Sequence, residues 1–220
     1  MKTVKLSIWL AFVLLALPVR GQSPGVPVVG GKTSPDGKVE VTIDLPASER
    51  KKNTGGIGPG GPGTGAGLCV FTSIEYSARW QNERALFELQ KYMTTKPGGG
   101  YPAKVDAILK VYSPGTQYGQ HTGGDESVLD AVLKSGRIAA VTYNGHDPHY
   151  GADRSIAHMV ALVHLDSQWA CVSDNNYPGD TEFVWMSRAE FLKRWRGNGG
   201  GWCVFLVRPP PPLPPKNFMR

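Results

Sequence analysis

Apolar residues recur at helical spacing in the first third of the region that can fold. The spacing predicts a helix from residue 68 to about residue 93, which ends before Pro97 and a glycine triplet. The apolar positions, interrupted once, are Phe71, Ile74, Ala78, Ala85, Leu89 and Met93. End signals predict two shorter helices. The first spans residues 125–134, with Thr122 or Asp125 as its N-cap. The second spans residues 188–196 and follows a capping box that starts at Ser187.

Short apolar runs follow the first two helices and predict strands. A further alternating stretch, at residues 39–43, could form one short strand near the N-terminus. The runs lie at residues 138–143, 157–165, 169–173 and 202–207. One helix followed by a mostly antiparallel sheet predicts an α+β domain that spans residues 65–207.

Both flanks of this domain differ from it in composition. Residues 22–64 are rich in Gly and Pro, and eight of the thirteen residues at 55–67 are glycine, which predicts a flexible segment. The glycines do not resemble a phosphate-binding loop, because no Lys-Ser/Thr pair follows them and prolines interrupt them. Residues 208–220 include a proline run that predicts a disordered, extended tail.

The N-terminus has the layout of a secretory signal peptide. Lys2 and Lys5 precede an uncharged run, and Val19 and Gly21 stand before a plausible cleavage point at Gln22. Residues 1–21 are therefore predicted to direct export, to the cell envelope or the medium; an uncleaved anchor is the alternative. No later run reaches the length of a membrane helix.

Charge and hydrophobicity exclude several classes of protein. The chain of 220 residues has a net charge of +6 and is 40% apolar, which is too hydrophobic for wholesale disorder. Signal cleavage would remove three basic residues and leave a charge of +3. Nothing in this balance requires a nucleic-acid partner. The sequence leaves the oligomeric state open.

Cys69 is the first candidate for chemistry, because it lies at the start of the predicted long helix. The positive end of a helix dipole and its unpaired N–H groups favour the thiolate. A core cysteine would be the ordinary interpretation. Cys171 and Cys203 lie in predicted strands and could pair in an oxidising compartment, leaving Cys69 as the odd thiol. If those strands are not neighbours, all three thiols are free.

A base and an orienting group are available downstream of Cys69. His158 begins a strand, and the next strand returns to Asp174 and Asn175. A hairpin of this length brings these residues back beside the imidazole. A two-residue turn would place Asn175 opposite His158, and a three-residue turn would place Asp174 there. The alternative without chemistry is that His158 only caps a strand and that the residues from Asp174 onwards only form a polar turn.

The order Cys69, His158, Asp174/Asn175 resembles the papain-like cysteine peptidase superfamily. The sixteen-residue step from His158 to Asp174 and the strand at residues 136–143 support the resemblance. The closing stretch, from residue 186 to residue 207, is most similar to the bacteriocin-processing branch and its secreted bacterial relatives. That branch implies Asp174 as the third residue, with Asn175 second. The resemblance covers residues 68 to about 207.

The resemblance implies a thiol-dependent hydrolase acting on an amide of a peptide or protein, with no cofactor. Cys69 would be the nucleophile, His158 the acid and base, and Asp174 the orienting group. The family usually has a glutamine six residues before the cysteine as an oxyanion donor. Here that residue is Gly63, and Thr64, Asn53 or a loop amide could substitute.

Two alternatives remain open from the sequence. An inactive relative that serves as a binding or scaffold domain would keep the fold without turnover. A metal site could form in the polar loop at residues 144–153, which holds His146, Asp147, His149 and Asp153. No paired-cysteine or zincin spacing supports that site.

Overall fold

The computed structural model describes residues 25–212 except 42, 44, 146–155, 180–182 and 198–199. Within these residues the chain forms five α-helices and nine strands. The helices are α1 (Cys69–Trp80), α2 (Leu89–Met93), α3 (Pro102–Tyr112), α4 (Glu126–Lys134) and α5 (Arg188–Arg196). The first strands are β1 (Val28–Gly30), β2 (Gly55–Gly58), β3 (Gly61–Gly67), β4 (Tyr118–His121) and β5 (Ala139–Gly145). The last are β6 (Ile156–Leu165), β7 (Trp169–Ser173), β8 (Phe183–Ser187) and β9 (Cys203–Leu206).

Seven strands form one sheet in the order β1-β8-β7-β6-β5-β9-β4, and every neighbouring pair in it is antiparallel. Strands β2 and β3 form a separate hairpin. The mixture of helices with an antiparallel sheet confirms the α+β class. In this order β5 and β6 separate β7 from β9. Cys171 and Cys203 are therefore not strand neighbours, and all three cysteines are free thiols.

The sheet is covered on both faces. Ala140 of β5 packs with the apolar residues of α1, α2 and α3, whereas Ala139 and Val141 pack with those of α4 and α5. Successive residues of a strand point to opposite faces, so the two groups of helices lie on opposite sides of the sheet. This arrangement explains why β5 reads as a continuous apolar run rather than an alternating one.

The predicted helix over residues 68–93 is in fact two helices. Helix α1 ends at Trp80, and Asn82 and Glu88 have positive φ angles of 53° and 64° that no α-helix can accommodate. Helix α2 then starts over a buried carboxylate, since Glu75 Oε2 accepts a hydrogen bond from the backbone N–H of Gln90 at 2.9 Å. The interruption seen in the apolar spacing marks this break.

The residues before α1 belong to the folded domain. Val41, Ile43 and Leu45 are buried in the core of the sheet, and Arg50 donates from Nε to the carbonyl of Leu45 at 2.9 Å. Strand β1 pairs with the edge strand β8. The strand expected at residues 39–43 is not formed by the described residues, where only an isolated bridge joins Thr33 to Glu40.

The glycine-rich stretch that we predicted to be a loop is the β2–β3 hairpin, and it packs against the segment that precedes α3. The backbones approach so closely that a Cβ on Gly98 would lie 1.7 Å from the carbonyl oxygen of Ala66. Only glycine permits this contact. A run of glycines has no side-chain pattern, so the pairing could not be recognised from the sequence.

The two termini extend beyond the described region. The predicted signal peptide and the end of the proline tail, at residues 213–220, lie outside the described residues. The start of the tail is held in place, since Gln81 Nε2 donates to the carbonyl groups of Leu206 and Arg208. None of the helices within residues 25–212 that the structure describes has the length and apolar character to cross a membrane.

Candidate active site

The site forms where strand β7 stops covering strand β6. Pairing of these strands ends at Ala161 with Ser173, and the chain then turns away. The N-terminal end of α1 occupies the freed edge of β6. Ser73 Oγ donates to the carbonyl of Met159 at 3.0 Å, which ties the helix to the strand. Cys69, the first residue of α1, is thereby placed beside His158.

His158 links the thiol to a buried carboxylate. Its Nε2 lies 2.9 Å from Oδ1 of Asp174, whose side chain is fully buried. The imidazole also shares a hydrogen bond with the Cys69 thiol. Since Nε2 is engaged by Asp174, Nδ1 is the nitrogen that remains for the sulfur. The backbone N–H of Asn176 donates to the same Asp174 oxygen at 2.9 Å and helps to fix the carboxylate.

The hairpin reaches this arrangement through a register that we did not foresee. Leu165 faces Ala170, and a bulge between Leu162 and His164 shifts the pairing by one residue. Asp166 causes the longer turn, because its Oδ1 accepts the N–H groups of Gln168 and Trp169, both at 2.7 Å. Neither the two-residue nor the three-residue turn is present. Asp174 reaches the ring from the turn after β7 instead.

Asn175 faces away from the imidazole and towards the helix. Its Nδ2 donates to the carbonyl of Met159 and to Ser73 Oγ, both at 2.9 Å, and lies 3.3 Å from the carbonyl of Cys69. The amide therefore joins the first turn of α1 to the strand that carries His158. Its contacts fit a positioning residue, whereas those of Asp174 fit the orienting member of a triad.

The electrostatics favour an ion pair between sulfur and imidazole. Burial raises the pKa of the Cys69 thiol, but hydrogen bonds from His158 and from backbone N–H groups outweigh it, so the pKa is lowered. Burial lowers the pKa of His158, but the hydrogen bond to Asp174 and the contact with Cys69 raise it to about 9. By contrast, burial raises the pKa of Cys203 to about 12, which keeps that thiol protonated.

A cleft of about 620 Å³ opens onto the sulfur and the imidazole. The segment between α2 and α3 lines one part of it, with Gly99, Gly100, Tyr101 and Pro102, and Trp202 lines another. A Cβ on Gly100 would lie 2.4 Å from Val70 Cγ2, so a side chain there would collide with the helix. Tyr101 is 60% exposed at the cleft.

The residues considered as the second oxyanion donor lie in different places. Asn53 lines the cleft beside Cys69. Thr64 is in the exposed hairpin, where its Oγ1 donates to the carbonyl of Gly61 at 2.8 Å and accepts from the N–H of Gly60 at 3.2 Å. Gly63 is in the same strand and is not among the residues that line the cleft.

Other parts of the site were not recognised from the sequence. Ser73, Asn176 and the peptide group of Met159 take part in its hydrogen bonds. Ser73 offered a signal, because it lies four residues after Cys69 and so on the same face of a helix. The polar loop proposed as a metal site includes His146, Asp147, His149 and Asp153, and these four lie outside the described residues.

No family model matches the chain, and no curated protein does. Among solved structures, the chain is similar to a protein from Bacillus anthracis that is described provisionally as a C39-like peptidase. The identity is 20% and the TM-score 0.40, over 53% of this chain and 63% of that one, so the match spans less than two thirds of that protein.

Proposed function

We propose that this protein is an exported, papain-like cysteine hydrolase that cleaves an amide bond of a peptide or protein. The observation that carries the proposal is the continuous chain of contacts from the Cys69 thiol through His158 to the buried Asp174, open to a cleft. Three separate elements supply these groups: the start of α1, strand β6 and the turn after β7. A packing cysteine would not need a charged partner of this kind.

The chemistry follows from the charges of these groups. The Cys69 thiolate attacks the substrate carbonyl carbon, and the carbonyl electrons move to oxygen to form a tetrahedral oxyanion. The imidazolium of His158 protonates the leaving amine as the C–N bond breaks, which leaves a thioester. Water then attacks the thioester and gives one proton to His158, and collapse of the intermediate releases the acid and the Cys69 thiolate, which restores the ion pair. Asp174 fixes the ring orientation and offsets its positive charge.

The place of action is a separate part of the proposal. The basic, apolar and small residues at 1–21 support export through a cleaved signal peptide, to the cell envelope or the medium. N-terminal sequencing of protein recovered from a secreting host tests this part, and a chain that begins at Gln22 is the expected result. Retention of Met1 in the recovered protein would contradict it.

Acylation by p-nitrophenyl acetate tests the activity without knowledge of the natural substrate. The wild-type protein is expected to release a burst of about one equivalent of p-nitrophenolate, and mass spectrometry is expected to find the acetyl group on Cys69. Cys69→Ala should abolish the burst. Cys171→Ala, which changes a buried thiol that does not line the cleft, is the matched control and should retain it.

Hydrolysis of quenched-fluorescent casein then distinguishes an amide hydrolase from an inactive binding or scaffold domain. A binding or scaffold domain would give no cleavage that depends on Cys69. The proposal as a whole is wrong if the wild-type protein shows no burst, or if Cys69→Ala keeps it.

A further inference from the structure

The proposed reaction needs two hydrogen-bond donors for the oxyanion. The residue six positions before the nucleophile, which usually supplies one of them in the family that the sequence resembles, has no side chain here. The backbone N–H of Cys69 is in the first turn of α1, where N–H groups have no acceptor within the helix. It can serve as the first donor. The residue six positions earlier is Gly63, and the hydroxyl of Thr64 is committed to the turn of its own hairpin.

Asn53 has a side chain that fits the second donor. It lines the cleft together with Cys69 and His158. Its Oδ1 accepts a hydrogen bond from the backbone N–H of Leu68 at 3.0 Å, directly before the nucleophile. An N–H group can only donate, so this contact fixes which end of the amide is oxygen and which is nitrogen.

The nitrogen of Asn53 retains donor capacity. Nδ2 donates to Oδ1 of Asn176 at 2.8 Å, and an amide nitrogen carries two hydrogens. The backbone is held as well, since the N–H of Asn53 donates to the carbonyl of Asn175 at 2.6 Å and Thr54 accepts from Leu68 at 2.8 Å. A donor held on both sides is oriented before the substrate arrives, which is the requirement for stabilising a developing charge.

We propose that Asn53 supplies the second oxyanion donor through Nδ2. The proposal rests on the proposed function. As the Cys69 sulfur bonds to the carbonyl carbon, the former carbonyl oxygen takes the electron pair and accepts hydrogen bonds from Cys69 N–H and Asn53 Nδ2–H. When the leaving group departs, the carbonyl reforms and both hydrogen bonds weaken. No proton moves to or from Asn53.

The segment before α1 therefore belongs to the catalytic unit. Asn53 follows Leu45 and Arg50, which anchor this segment in the core and over the ring of Phe183, 4.8 Å from the guanidinium carbon. A removable inhibitory segment would take the donor with it. The position of Asn53 therefore argues against residues 22–64 being an inhibitory segment that is removed to activate the domain.

Two variants of Asn53 test the proposal in the full-length protein. Asn53→Ala removes the donor. Asn53→Asp removes both N–H groups but keeps an oxygen that accepts from Leu68, so the start of the helix is preserved. The burst rate constant with p-nitrophenyl acetate is expected to fall roughly 100-fold in both. Thr64→Ala, in the exposed hairpin, is the matched control and should acylate like the wild type.

Alkylation by iodoacetamide distinguishes an oxyanion donor from a structural residue. Loss of a structural residue would slow alkylation of Cys69 as well as acylation. Displacement of iodide by the thiolate forms no oxyanion, so it reports the thiolate alone. The plateau rate reached at alkaline pH is compared, because a carboxylate at position 53 shifts the thiol titration. We expect the plateau to be unchanged in both variants.

The outcomes separate the proposals. A large loss of acylation with an unchanged alkylation plateau supports Asn53 as the donor. Wild-type acylation in both variants overturns the proposal, and so does a parallel loss of acylation and alkylation, which would make Asn53 a structural residue. A wild-type protein that is never acylated contradicts the proposed function instead.

Discussion

Strand β6 carries a histidine near each of its ends, and each histidine is hydrogen-bonded to an aspartate. The two pairs have the same hydrogen-bond distance but differ in burial and in the groups around them. His158 Nε2 lies 2.9 Å from Asp174, and His164 Nε2 lies 2.9 Å from Asp166. The first pair is buried and contacts a thiol at a cleft. The second is partly exposed in a turn, with its ring centroid 5.6 Å from that of Trp185.

The comparison shows that a His-Asp hydrogen bond alone does not make a catalytic site. The other contacts of Asp166 are within the turn, where it accepts hydrogen bonds from two backbone N–H groups. Asp174 is held in the same way by one N–H group of Asn176, but it faces a ring that contacts sulfur. The nucleophile and the buried surroundings distinguish the two ends of the strand.

Removal of the two imidazoles should give the largest contrast. His158→Ala removes the proposed acid and base, so casein hydrolysis is expected to fall by about 10²- to 10⁴-fold. His164→Ala leaves the cleft intact and should retain the wild-type rate. Steady-state kinetics of both variants, with unfolding temperatures as the check on folding, measure the contrast. Equal losses in the two variants would show that β6 serves stability alone.

Removal of the two carboxylates should give a smaller contrast of the same sign. Asp174→Asn weakens the interaction that raises the pKa of His158 and holds its ring, at about 1.4 kcal/mol for each pKa unit lost, so casein hydrolysis should fall roughly tenfold. The alkaline limb of the pH-rate profile should move below about 9, the wild-type pKa of His158. Asp166→Asn should leave the profile in place, and a profile unmoved by either variant would contradict the assignment of Asp174.

Asn175 has no counterpart at the other end of the strand, and its removal should have the smallest of the three effects on chemistry. Asn175→Ala removes the amide that joins the first turn of α1 to Met159 and leaves the Ser73 hydrogen bond as the remaining tie, so the Cys69 thiol and His158 are expected to separate slightly. Loss of a buried amide with these contacts should also destabilise the fold by about 1–3 kcal/mol. The iodoacetamide rate at neutral pH and a urea titration measure the two effects. An unchanged alkylation rate would remove Asn175 from the positioning role.

Sequence patterns located the elements that begin or end with a side-chain signal. Helix α4 starts where Asp125 accepts the N–H of Ser127, and α5 starts where Ser187 accepts the N–H of Glu190. The long apolar runs correspond to β5, β6 and β7. These elements are specified by local contacts, so neighbouring residues in the chain were sufficient to predict them.

The elements that were not predicted depend on distant contacts or on backbone alone. Strand β1 forms by pairing with β8, and β4 by pairing with β9. The β2–β3 hairpin has no side-chain periodicity. Helix α3 did carry a signal, since Pro102 stands at its first turn and Val105 and Leu109 are buried at helical spacing. The patterns described above do not assign that stretch to a helix.

The sequence could identify some residues of the site and not others. The order of Cys69, His158 and Asp174 could be read because each lies at or near an end of a recognisable element. The hairpin alone could not decide between Asp174 and Asn175, because the choice depends on the bulge in β6 and on a turn that Asp166 sets; only the family resemblance put Asp174 first. Asn53 lies on no patterned element, and its place becomes visible only through its contact with Leu68.

The pH dependence of Cys69 alkylation by iodoacetamide tests the central claim most directly. Its lowered pKa should make Cys69 reactive below the pH at which an ordinary thiol titrates, and a further rate change is expected near pH 9. There His158 loses its proton and the ion pair becomes a free thiolate. His158→Ala should shift the first titration upwards. A single titration at the ordinary value of about 8.5, unchanged by His158→Ala, would contradict the account.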